Sequence, residues 1–251
     1  MDLTIETKCW ENDWHWVLQP NRMRALTERC GFDRARYVVW INNGPSLESM
    51  KRAADALVSE GLIHEYGVVA DTADEALSFF GIDPDSFNGG YYYSIAELVS
   101  LYMCNTKYLL HFSGDSIPHV GVPVQWIDTL IGGLEEHPEW LVANLLWNER
   151  LHEAKREAAY FLGAHDEWAV GYGFTDQMYL VRASDFKAPI YSCTHEAGER
   201  YPKYGGNLFE KRVDAYMRIH QRLRATWVLG SYLHKNYPRN WHQRLLWRPP
   251  W

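Results

Sequence analysis

The stretch "YLLHFSGDS", Tyr108 to Ser116, decides how this chain is read. The apolar, aromatic-rich run Tyr108 to Phe112 predicts a buried strand, and Ser113-Gly114-Asp115-Ser116 predicts a turn at its tip. A strand has no need of an acid at its end. Mg²⁺ and Mn²⁺ do: they take oxygen ligands, keep several waters, and are held by one or two carboxylates together with a substrate's phosphates. Asp115 is therefore a candidate metal ligand, and the same tetrapeptide is also ordinary turn chemistry.

Working outward, strand patterns alternate with helical ones. "DLTIETKC" and "ARYVVWIN" predict strands, and "PSLESMKRAADALVSEG" predicts a helix with Pro45 near its start and Gly61 just past its end. "LIHEYGVVA" predicts a strand, "SIAELVSLYMCN" a helix capped by Ser94, "PVQWIDTLIGGLEEH" a helix, and "EWLVANLLW" a strand. This is the rhythm of an α/β fold: a mostly parallel sheet covered by helices on both faces. Beyond about residue 150 the rhythm breaks. "GYGFTDQMYLV" predicts a short hairpin, 184–206 a loop, Asn207 to Arg224 a long helix, and "TWVLG" a strand ending just before His234.

In such sheets ligands sit at the carboxyl ends of the strands. Two ends stand out, Asn42-Asn43-Gly44 and Ser113-Gly114-Asp115. No G-x-G-x-x-G follows a strand and no G-x-x-x-x-G-K-[ST] occurs, so a glycine cradle for phosphates is missing. A nucleotide would have to be held another way, and a divalent ion is the usual one.

Composition sets the outer bounds. The 251 residues are 47% hydrophobic and 23% charged, ordinary for one globular α/β unit. "MDLTIETKCW" lacks a basic region followed by an apolar core, and no run is long enough to span a bilayer. Cys9, Cys30, Cys104 and Cys193 form no C-x-x-C pair and read as reduced thiols, so the expected location is cytoplasmic. The net charge of −7 is uneven: residues 211–251 carry +8, leaving −15 for the rest. The basic, aromatic end "NWHQRLLWRPPW" attracts polyanions such as diphosphates or anionic lipid, or else packs its rings back on the body. The acidic remainder argues against nucleic acid.

The α/β first half, the Asn-rich strand end near residue 42 and the strand ending in x-G-D together resemble the GT-A fold glycosyltransferases, in particular the large family-two group. The resemblance covers about residues 2 to 236. It implies a GT-A-like (Rossmann-like) single domain, 1–236, with a nucleotide-binding half at 1–120 and an irregular acceptor-binding half at 121–236, followed by a basic aromatic tail at 237–251. The family's D-x-D motif reads Ser113-Gly114-Asp115 here, so Ser113 stands where the first Asp is expected. By this resemblance Asp115 binds Mn²⁺ or Mg²⁺, with Ser113 and Gly114 beside the donor. The family's late Glu-Asp pair reads Glu210-Lys211, making Glu210 the catalytic base of an inverting transfer, and His234 completes the metal site.

Further expectations follow. Thr7, Asn42 and Asn43 line the nucleobase and ribose, where amides suit a uracil edge and weakly favour a UDP-sugar. Lys235, or Arg239, adds charge at the diphosphate. Trp147, Trp168, Tyr191 and Tyr204 read as half core, half sugar-stacking platform, and Asp176 as an acceptor contact or a turn; Glu196, Glu199 and Asp176 are alternative bases. The implied activity is transfer of a sugar from a nucleotide-diphosphate sugar to a hydroxyl of a glycan or lipid-linked acceptor. One rival, a sugar-phosphate nucleotidyltransferase, expects a glycine-rich basic loop after the first strand, which "ETKCWENDW" lacks. The other is a non-catalytic nucleotide- or glycan-binding protein derived from a transferase fold. Peripheral membrane contact through the tail is compatible with either.

Overall fold

The computed structural model describes residues 2–42, 44–201, 206–238, 242 and 247–251. The expected positions Asn43, Tyr204 and Arg239 lie outside them. Ten strands form one mixed sheet among the described residues. Four of them, β1 (Leu3–Cys9), β2 (Arg36–Ile41), β3 (Glu65–Val68) and β4 (Tyr108–Phe112), pair in parallel in the order β3-β2-β1-β4. The three-residue β5 (Ser116–Pro118) follows the tip of β4, and β6 (Trp140–Trp147) lies deeper in the sheet. β7 (Ala158–Leu162), β8 (Trp168–Gly171), β9 (Met178–Arg182) and β10 (Leu223–His234) complete it, in the order β4-β9-β6-β10-β8-β7, with β5 against β10. β9 is antiparallel to both β4 and β6, and β6 is parallel to β10. The carboxyl ends of β1, β2, β4, β6 and β10 therefore all reach one edge.

The helices cover both faces. They are α1 (Trp14–Val17), α2 (Pro20–Cys30), α3 (Leu47–Ser59), α4 (Ala73–Phe80), α5 (Ile95–Met103), α6 (Trp126–Glu136), α7 (Leu151–Glu157), α8 (Ala183–Lys187) and α9 (Phe209–Ile219). Two apolar clusters result. One gathers Ile5, Val39, Leu110, Trp126 and Trp140; the other gathers Leu77, Val99, Leu109, Tyr179 and Phe209. α3 shows how local sequence sets an end. Met50, Ala54 and Leu57 face the core, and Gly61 (φ 68°) lets its own N–H reach the Val58 carbonyl at 3.0 Å while Leu62 N–H reaches Leu57 at 2.9 Å. Only a residue free to adopt left-handed φ closes a helix this way without strain.

Several expectations are corrected. The 171–181 segment is not a hairpin: β8 pairs with β10 and β7, whereas β9 inserts between β4 and β6. The strand expected over 62–70 pairs only at Glu65–Val68. The late helix stops at Ile219, because Gln221 takes φ 53° and Arg222 N–H returns to the Met217 carbonyl at 2.8 Å. β10 is correspondingly longer than predicted and includes His234. Ser94 precedes α5 but caps nothing there; its Oγ accepts the Phe209 N–H of α9 at 2.9 Å. The four cysteines are free. No helix among the described residues is long and apolar enough to cross a membrane.

Candidate active site

The shared carboxyl edge opens into a cleft of about 1240 Å³. That exceeds the ~300–1,000 Å³ of a typical small-molecule pocket and leaves room for two substrates. It starts at the ends of β1, β2 and β4 and continues down the face of β6 and β10.

At its first end the tip of β4 is tightly built. Ser113 Oγ donates to Asp115 Oδ1 at 2.9 Å and contacts Ser116 Oγ at 2.7 Å. Arg22, fully buried in α2, donates to the Ser113 and Ser116 carbonyls at 3.4 and 3.1 Å, tying the turn down from below. β5 then lays the turn along β10 with Ser116 opposite His234, and Lys235 N–H donates to the Asp115 carbonyl at 3.0 Å. The result brings His234 Nε2 to 3.2 Å from Asp115 Oδ2. Burial would raise the Asp115 pKa, but the hydrogen bond and charge of His234, with the Ser113 hydroxyl, outweigh it and hold the carboxyl below its ordinary value. Asn148 (φ 48°) brackets His234 from the other side, accepting its N–H at 2.8 Å and donating to its carbonyl at 3.1 Å.

Asp13 is a second acid at this end that sequence reasoning missed. Its pKa is pushed up to about 7, by burial above all and by the neighbouring Asp115, against the Trp10 N–H that it accepts at 2.8 Å. Its only signal was position, a few residues past the end of β1. Among the described residues no three His, Cys, Asp or Glu side chains converge to hold an ion by themselves. An ionised carboxylate beside an imidazole is nevertheless a donor set that suits Mn²⁺ or Mg²⁺ when phosphates and water supply the remaining positions.

Inside the cleft stands Glu210, in the first turn of α9. Burial, then the charge of Asp176, pushes its pKa up to about 8, against Lys8, Lys211 and Arg200. Lys8 was also missed; it lines the floor and is ion-paired to Glu97, which is fully buried in α5. Farther along, Trp147 lies under the Arg150 guanidinium, 4.1 Å from the ring centre, and Tyr232 Oη donates to Gln177 at 3.1 Å.

The structure thus brings Asn42, Ser113, Gly114, Asp115, Asp176, Glu210 and His234 to one cleft. It does not bring four others. Thr7 is fully buried, its Oγ1 accepting from Arg22 at 3.2 Å, because alternate residues of β1 point to opposite faces. Tyr191 is buried, donates to the Phe186 carbonyl at 2.6 Å, and packs on Phe80 and Phe209. Trp168 packs against Trp140 at 5.0 Å beside Gly133. The Lys235 ammonium donates to the Arg248 carbonyl at 2.7 Å and lies over Trp247, away from the cleft. The tail's rings pack on the body: Trp247 meets Trp16 and Tyr237, and Tyr237 Oη donates to the Gly114 carbonyl at 2.7 Å.

No protein-family model matches this chain, and no curated protein matches it by sequence. Solved structures do match. GalNAc-T7, with UDP, GalNAc and Mn²⁺, superposes with a TM-score of 0.57 at 9% identity, over 95% of this chain and 44% of its own. Glucosyl-3-phosphoglycerate synthase from Mycobacterium tuberculosis, with Mn²⁺, UDP-glucose and glycerol 3-phosphate, gives 0.48 at 13%, over 94% and 73%. Mouse xyloside xylosyltransferase 1 in its apo form gives 0.49 at 12%, over 89% and 84%. The chain spans less than half the length of GalNAc-T7. At this identity the likeness is one of fold, and the fold is GT-A.

Proposed function

We propose that this chain is a metal-dependent glycosyltransferase. It takes a nucleotide-diphosphate sugar, of the UDP class by weak preference, and transfers the sugar to a hydroxyl of a glycan or lipid-linked acceptor with inversion. The observation that carries this reading is the pairing of Asp115 with His234 at one end of a cleft that holds Glu210 in its interior.

Asp115 and His234 would hold Mn²⁺ or Mg²⁺, which when bound neutralises the departing diphosphate. The remaining work falls to the chain. Asn42, whose Nδ2 donates to the Tyr92 carbonyl at 2.8 Å, and the Ser113-Gly114 turn flank the nucleotide. The acceptor hydroxyl attacks the anomeric carbon, the bond from that carbon to the diphosphate oxygen breaks, and Glu210 takes the hydroxyl proton. Burial, and then the like charge of Asp176, keep the Glu210 carboxylate basic.

The test is Glu210→Gln with sugar release followed in Mn²⁺. A base contributes ~10²–10⁴-fold, so release should fall by that factor while nucleotide affinity stays within a few-fold. Release by the variant at the wild-type rate would remove Glu210 from the chemistry. Nucleotide binding by the wild type without any sugar release would favour the non-catalytic alternative.

A further inference from the structure

The far end of the cleft carries a feature that sugar transfer to a neutral acceptor leaves unused. Arg200 and Arg224 both line the cleft and both reach the same point beside Gly173, which takes φ 119°. A Cβ at Gly173 would collide with the Arg200 guanidinium and lie 3.3 Å from Arg224 Nη1. Like charges are gathered here, and their partners do not exhaust them. Arg224 Nη2 donates to Glu157 at 2.8 Å, but its Nε is buried with no hydrogen-bond partner among the described residues, in a residue only 9% exposed. Arg200 donates to Tyr201 Oη at 2.9 Å and stands 3.6 Å from Asp214, beyond hydrogen-bond distance. Asp214 is already held by Arg218 through two bonds of 3.2 and 3.1 Å.

We infer that Arg200 and Arg224 form an anion site for an acceptor bearing a phosphate or carboxylate. This rests on the transferase reading, since it assigns the substrate that meets Glu210. The donor diphosphate is not the anion in question. Arg224 is the second residue of β10 and His234 the last, and by the pairing of that strand with β6 the two lie on the order of 20 Å apart along the strand. Glu210 lines the same cleft and feels the charges of both Lys8 and Arg200. Glu157, the last residue of α7, now occupies the place of the anion: half exposed, it faces Arg224, Arg200 and Arg156. An acceptor's anionic group would displace or share it, and bidentate guanidinium geometry suits either head group.

The experiment is calorimetric titration of inorganic phosphate, and separately of acetate, into protein saturated with UDP and Mn²⁺, so that the donor end is filled. Wild type, Arg200→Gln and Glu157→Gln are compared. Arg200→Gln should weaken binding about tenfold or more, and Glu157→Gln should tighten it several-fold, with UDP affinity unchanged in both. Whichever probe binds more tightly identifies the head group. Binding that ignores both substitutions, or no binding by either probe, overturns the inference and leaves the transferase reading standing if UDP binds. If UDP fails to bind, the probes are titrated alone. The same pattern in the variants then keeps the anion site while the transferase reading falls.

Discussion

His234, the last residue of β10, holds Nε2 3.2 Å from Oδ2 of Asp115, at the tip of β4. Two devices create this meeting: the short antiparallel pairing of β5 with β10, and the Asn148 side chain that binds both the N–H and the carbonyl of His234. If the pair holds a cation, its supports matter nearly as much as the ligands. Asn148→Ala should weaken Mn²⁺ affinity ~10–100-fold, the usual cost of losing an outer partner, with little change in far-UV circular dichroism. An Mn²⁺ titration read by paramagnetic relaxation checks this.

Glu210 sets an expected pH dependence. Its pKa rises from 4.5 to about 8 on folding, so the fold favours the neutral acid. The stability it contributes is present at low pH and lost as pH climbs between those two values. Glu210→Gln should therefore melt at a higher temperature than wild type at pH 8, with the difference vanishing near pH 4.5. Sugar release by the wild type should rise over the same interval, since only the carboxylate takes a proton. Thermal melts and rate profiles over one pH series test both.

Gly114 is needed for space. A Cβ there would stand 2.8 Å from the Lys8 carbonyl, 2.9 Å from Val17 Cγ2 and 3.1 Å from Asp13 Oδ2. None of these is a flexible chain end free to give way, apart from the Asp13 carboxylate. Gly114→Ala should cost ~1–3 kcal/mol, as overpacking does, and should displace Asp115 from His234. Denaturant melts measure the first effect and Mn²⁺ affinity the second.

Trp168 and Tyr191 should behave as core rather than as sugar platforms. Trp168→Ala should destabilise by about 3 kcal/mol, at the low end for loss of a large aromatic, because the ring is partly exposed. Acceptor KM should not change. Trp147, which lines the cleft under Arg150, should show the opposite pattern.

The parts of this fold that were legible in the sequence are those that local rules control. Strands β1, β2, β4 and β6, helices α3, α5 and α6, the Gly61 helix end and the tip of β4 carry their own turn or periodic signals, whereas α2 (Pro20–Cys30) and α4 (Ala73–Phe80) are absent from the sequence reading. What was illegible depended on long-range pairing or on residues used against type. β9 inserts antiparallel between β4 and β6, and nothing in "MYLVR" announces its direction. Gln221 closes α9 in a conformation usually left to glycine, so the sequence pattern runs on past the helix's true end at Ile219. Motif spacing names Asp115, His234 and Glu210, and the structure brings the three to one cleft. Asp13, Lys8 and Arg22 carry no motif of their own, because their neighbours come from distant parts of the chain: Asp115 for Asp13, Glu97 of α5 for Lys8, and the Ser113 and Ser116 carbonyls for Arg22. Thr7 and Lys235 failed for a shared reason: each sits one position from a residue that does face the cleft, and side-chain direction alternates along an extended chain.

The most direct measurement is calorimetric binding of UDP, GDP and dTDP to wild type and Asp115→Ala, each with and without Mn²⁺. The expected result is that one nucleotide, UDP by preference, binds wild type only when Mn²⁺ is present, and that Asp115→Ala abolishes this binding. If no nucleotide binds, or if the variant binds as wild type does, Asp115 is a turn residue and the metal-dependent transferase reading is wrong.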